Sequence, residues 1–184
     1  LSSEGRGAVY DGVPSVDNSS TPADLRFRIG VLLYFRDEQG RLLLIRRERP
    51  PNEGSWCAIG GKLEMTIGES PYECAQREAQ EEVGLRLNVE ELRLRVILSE
   101  KDYEKTGHWL MFVFQVLTPL KELPQSIEEG EFKFFESGSL DDVNIPELDR
   151  RILSKYILTQ KSGLHMLRSD GEGHPLVEES RVSV

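Results

Sequence analysis

The stretch from Ser70 to Gly84 encodes both ends of one helix, and every other element must be arranged around it. Ser70 is an N-cap by type, Pro71 suits the first helical position, and Glu73, three residues past the cap, completes a capping box. Gly84 is the matching stop, because a left-handed residue after a helix costs glycine little. Between them Tyr72, Ala75, Ala79 and Val83 recur at spacings of three and four, which predicts the buried stripe. Glu78, Glu81 and Glu82 crowd onto an adjoining face.

That crowding needs a cause. A solvated helix face interleaves Lys or Arg at i+4 and gains ~0.2 to 0.5 kcal/mol per pair, whereas like charges lose a similar amount. Glu78 and Glu82 form such a repulsive pair, and partial burial raises the cost. Two unit charges about 4 Å apart interact by roughly 4 kcal/mol at an effective dielectric near 20. A cation is therefore expected. Arg77 projects about 100° round the helix from Glu78, so it suits a different carboxylate. Oxygen donors with no Cys or His beside them suit Mg²⁺, or Mn²⁺, rather than zinc.

The flanks read as strands. LRFRIGVLLYF and RLLLIRR, joined by RDEQG, predict a hairpin over 25–47, and ERPPNEGS predicts a loop leading to WCAIGG. After the helix, LRLRVILSE, HWLMFVFQVL and EFKFFE give strand signals, and a second helix is predicted over 146–158. Strands flanked by two helices without strict alternation indicate an α/β chain with a mixed sheet between helices. The expected organisation is an N-terminal extension over 1–24, one domain over 25–163 and a C-terminal extension over 164–184 with one more strand.

Composition narrows the partners. A net charge of −9 leaves no basic stripe for a polymeric nucleic acid, although a local cluster can still hold a small anion. Cys57 and Cys74 belong to no C-x-x-C pair and read as small buried hydrophobes. No apolar run reaches the ~18 residues of a membrane span, and a cytoplasmic address, as monomer or homodimer, is the expectation.

GGKLEMTIGESPYECAQREAQEEVGL, residues 60–85, resembles the signature box of the Nudix hydrolases, and Gly60-Gly61-Lys62 with the following Glu64-Met65 is similar to MutT-type members. The pattern falls on Gly61, Glu69, Arg77, Glu78, Ala79, Glu81, Glu82, Gly84 and Leu85. One departure stands out: seven residues separate Gly61 from Glu69 where the family has five, so Thr66 and Ile67 read as inserted. The resemblance, spanning roughly residues 25–160, implies an α/β/α sandwich and Mg²⁺-dependent hydrolysis of a nucleoside diphosphate linked to another group. A nucleoside triphosphate cut to monophosphate and pyrophosphate comes first; ADP-ribose or a dinucleotide is the alternative. A non-catalytic nucleotide-binding module is the reading of another class, and three retained glutamates weigh against it.

The resemblance implies Glu78, Glu81 and Glu82 as metal ligands with the Gly61 carbonyl, and Glu69 with Arg77 as a supporting ion pair. The general base is left open among Glu82, Glu128, Glu129 and Glu131. Arg46, Arg47 and Lys62 are candidates for substrate phosphates. Trp56 is the candidate to stack on the base, ahead of Phe114, Phe134 and Phe135, and Asp149 either reads a purine edge or pairs with Arg150. Relatives that cleanse oxidised purines often carry Asn after that Trp; Cys57 here weakens 8-oxo-dGTP as the substrate. His108 and His165 lack partners at metal spacing.

Overall fold

A computed structural model describes residues 27–103, 107–159, 163–170 and 176–182. The capped helix is α1, Pro71–Val83, with both bonds of the Ser70–Glu73 capping box and a left-handed Gly84 at φ 70°. Ala75 and Ala79 are fully buried, as their spacing predicts, and Cys74 joins them. Tyr72 meets Phe114 edge-on at 4.9 Å.

Two sheets sit between the helices. The first has the order β1 (Phe27–Tyr34), β5 (His108–Val116), β4 (Leu92–Glu100), β7 (Leu164–Ser169) and β8 (Val177–Val182); the second runs β3 (Trp56–Cys57), β2 (Leu42–Arg47), β6 (Gly130–Phe135). In the first, β1 is parallel to β5 and β4 to β7, while β5–β4 and β7–β8 are antiparallel, so the sheet is mixed. Alternate residues feed two cores. Val31, Leu33, Leu43 and Ile45 face α1, whereas Tyr34, Leu42 and Leu44 join the core of α2 (Glu147–Ile152). The strand period of two is what divides the run.

The predicted hairpin forms only at its turn. Leu43 N–H donates to Phe35 O at 3.0 Å, and then β1 and β2 part into different sheets. The reason lies in the edge of β1: Val31 N–H donates to Gly61 O at 2.9 Å, Leu33 N–H to Ile59 O at 2.7 Å, and Leu63 N–H to Ile29 O at 3.0 Å. Residues 59–63 occupy the place that β2 was expected to fill. The glycine pair is thereby fixed against the main sheet.

The predicted second helix is α2 continued by a π-helical turn, Leu153–Ile157. Its carbonyl ends are satisfied from the sheet side, Tyr156 O by Arg95 Nη2 at 3.1 Å and Ile157 O by Arg36 Nη2 at 3.2 Å. Residues 164–182 hold two strands rather than one, and both belong to the larger sheet. No helix among the described residues is long and apolar enough to cross a membrane.

Candidate active site

The acidic face of α1 lies directly behind the glycine pair. A Cβ on Gly61 would stand 2.0 Å from Glu78 Oε1, so no side chain fits there while that carboxylate holds its place. Glu78 is buried. Arg77 binds Glu69 with a two-pronged fork, Nε to Oε1 at 2.8 Å and Nη2 to Oε2 at 2.9 Å, as the resemblance implies. It also reaches the carboxylates that helical geometry seemed to put beyond it, with Nη1 at 2.7 Å from Glu78 Oε1 and 3.1 Å from Glu81 Oε2. A long flexible stem bends the guanidinium back across the helix surface, which the 100° separation at Cα does not anticipate. The same fork holds Glu69 well below the ordinary carboxylate range.

Glu82 is partly buried and its carboxyl is pushed up to about 8, first by burial and then by the neighbouring Glu78 charge, with Gly60 N–H opposing. Two carboxyl groups in contact, each raising the cost of the other's charge, suit a divalent cation that would neutralise both. The donors, all hard oxygens, fit Mg²⁺. Among the described residues no three acidic, histidine or cysteine side chains close around one point, and Glu81 leans instead on Arg77. Gly61 O already accepts from Val31 N–H at 2.9 Å, and the Cys74 thiol reaches it weakly at 4.0 Å.

The inserted Thr66 and Ile67 belong to a single 3₁₀ turn, Met65–Ile67, closed by Gly68 at φ 68°. Its flanks are pinned on both sides: Glu64 N–H donates to Glu69 Oε2 at 2.8 Å, and Arg77 Nη2 to Lys62 O at 3.0 Å. The extra length is pushed outward, leaving Ile67 77% exposed.

Of the loop carboxylates, Glu128 pairs with Arg49 at 2.5 Å and Glu131 with Arg46 at 3.4 Å. Glu129 is the one whose charge Glu82 feels.

A cavity of about 290 Å³ opens on the other side of Gly60 and Gly61. Arg47, Lys62 and Asp149 line it, together with Cys57. Trp56 does not: it packs edge to face on Phe135 at 4.9 Å. Phe114 is fully buried in the α1 core, and Phe134 lies under the Arg41 guanidinium at 5.3 Å. The aromatic walls are Trp109 and Tyr103, which the sequence reading passed over. Trp109 and Met111 stand two apart on β5 and so share a face, but only the pairing of β1 with β5 shows which face. Lys62 Nζ sits 5.8 Å from the Trp109 ring.

Asp149 has its carboxyl pushed up to about 6 by burial. Arg150 is not its partner, since that guanidinium donates to Leu140 O at 2.8 Å and Val143 O at 2.5 Å. The two histidines among the described residues, His108 and His165, stay outside the site. His108 accepts from Asp102 N–H at 3.1 Å, and the buried His165 meets Glu178 at 2.7 Å.

A sequence model of the NUDIX domain matches residues 26–158. The chain belongs to the Nudix family. Its Nudix domain is 34% identical over 146 residues to the human 8-oxo-dGDP phosphatase NUDT18, covering 77% of this chain and 42% of that protein. It is 30% identical over 129 residues to an ADP-ribose pyrophosphatase of Methanocaldococcus jannaschii, covering 69% of this chain and 71% of the other. The chain thus spans well under half of the human relative's length. Among solved structures, a MutT protein from Bacillus halodurans superposes with a TM-score of 0.63 at 21% identity, covering 82% of this chain and 95% of that one. The NUDIX domain of Shewanella oneidensis NrtR, solved with ADP ribose, gives 0.58 at 14% identity, covering 74% and 90%. These structural likenesses speak to the fold, a Nudix α/β sandwich.

Proposed function

We propose that this Nudix domain hydrolyses a phosphoanhydride bond in a nucleoside diphosphate linked to another group, with a nucleoside triphosphate giving monophosphate and pyrophosphate as the first candidate. The observation that carries the reading is adjacency: one glycine pair has the acidic face of α1 behind it and a base-sized cavity in front. A phosphate chain reaching from that cavity toward Gly61 ends beside the carboxylates.

Glu78, Glu81 and Glu82, with the Gly61 carbonyl, would hold Mg²⁺, Mn²⁺ being a substitute. When bound, the metal neutralises charge on the phosphate oxygens and lowers the pKa of a bound water. Glu69 and Arg77 support the loop and helix in register. A water attacks phosphorus, its proton passes to a carboxylate, and the anhydride P–O bond breaks. Glu129 is the favoured acceptor because its charge is felt at Glu82 while Glu128 and Glu131 are occupied by arginines. Arg47 and Lys62 are suited to the phosphates and Arg46 to the rim, Trp109 to the flat face of the base and Asp149 to its edge.

ADP-ribose is the second reading, favoured by the archaeal relative that bears that activity in its name and of which this chain covers 71%. The test is release of phosphate, pyrophosphate or ribose phosphate from a panel of nucleoside di- and triphosphates, 8-oxo-dGDP included, and ADP-ribose, with Mg²⁺ and with chelator. Metal-dependent turnover ranks the substrates. Nucleotide binding with no turnover would support a binding module instead.

A further inference from the structure

Two loops meet at the cavity through one side-chain hydrogen bond: Tyr103 O–H donates to Asn52 Oδ1 at 2.6 Å, and both residues line the cavity. Each partner is held in place from its own side. Tyr103 N–H bonds Gly107 O at 3.1 Å, and the preceding residue, Asp102, stands at φ 50° with its N–H on His108. Asn52 has φ 62°, a left-handed conformation that Asn tolerates better than most residues, and its carbonyl accepts Ser55 N–H at 3.0 Å. Arg47 Nε secures the adjoining Pro51 O at 2.7 Å.

An amide has a donor end and an acceptor end, and its partners decide which faces where. The phenol claims the Asn52 oxygen, so the Asn52 nitrogen is the end left to other partners, while Cys57 Sγ turns to Ser55 O at 3.9 Å. Asn52 lines the cavity, so with its oxygen engaged the N–H₂ group is the end of the amide that it offers to a ligand there. Asp149 lines the same cavity, so a donor and an acceptor border one space.

We propose that Tyr103 is a positioning residue that fixes the Asn52 amide, so that the Asn52 donor and the Asp149 acceptor together select a heterocycle whose edge sets an acceptor beside a donor. This rests on the reading that the cavity takes the substrate base. Without the phenol O–H, the amide is free to turn, and the discrimination goes before the affinity does.

The experiment is calorimetric titration of the whole chain with inosine 5′-monophosphate, whose lactam sets O6 beside N1–H, and with purine riboside 5′-monophosphate, whose ring lacks both O6 and N1–H. The wild type is expected to prefer the lactam about a hundredfold, the worth of about two hydrogen bonds. Tyr103→Phe should shrink that preference about tenfold, and Asn52→Asp, which replaces the donor at constant shape, should do the same. A preference that both substitutions leave undiminished overturns the inference, and so does a loss of affinity that is equal for the two ligands, the mark of a merely structural bond. Binding of neither ligand by the wild type overturns it together with the proposed function. Preference intact in variants that still hydrolyse nucleotides overturns this inference alone.

Discussion

The two sides of the glycine pair are built in opposite ways. Behind it, the carboxylates, Arg77 and Glu69 all come from residues 69–82, polar and tied to one another by short hydrogen bonds. In front, the cavity draws Arg47, Cys57, Tyr103, Trp109 and Asp149 from loops and elements far apart in the chain. The chemical half can be specified by one helix and its preceding loop. The half that receives the base exists only after β1 has paired with β5 and α2 has docked.

Substitutions can be used to separate the halves. Glu82→Gln should lower kcat/KM by at least about a hundredfold, since it removes a full charge from a site that must balance a divalent ion. The metal-free melting temperature should hold or rise, because the amide resembles the protonated form that burial favours. Full activity in that variant would remove the metal role from this face. Trp109→Ala should raise KM about tenfold with kcat within about twofold. Trp56→Ala should instead cost about 1–3 kcal/mol in stability and leave KM alone. Steady-state kinetics beside chemical denaturation decide between them, and reversed results would move the base-binding wall to the Phe135 side.

A subtler test uses protons. The Glu82 carboxyl is raised in the folded chain, to about 8, so the unfolded chain loses that proton first as pH climbs. Its contribution is fully present below the ordinary carboxylate range and is lost as pH rises through about 8. Metal-free stability should fall across that window, and Mg²⁺ should raise the melting temperature more at pH 8 than at pH 6. Equal shifts at both pH values would sever Glu82 from the metal. The smallest effect is expected from deleting Thr66 and Ile67, within about 0.5 kcal/mol of the parent; a collapse of the fold would show that the turn carries part of the core.

What the sequence made readable follows the same division. Ser70, Pro71, Glu73 and Gly84 announce a helix because caps act within a few residues, and the glutamate spacing announces its face. The parting of β1 from β2 was hidden because Leu42 to Ile45 is buried on both faces, a run that names no partner. Trp56 lies next to the glycines in sequence yet packs on Phe135, whereas Trp109, distant in sequence, borders the cavity from β5. Arg77 shows the limit of wheel geometry for a side chain long enough to cross it.

The pinned turn at Met65–Ile67 has a bearing on how such chains vary. Glu69 and Arg77 grip both of its ends, so the segment between is mechanically uncoupled from the carboxylates, like slack rope between two cleats. Its length is therefore expected to change without retuning the chemistry, and a rule that counts residues across it measures the slack rather than the grip.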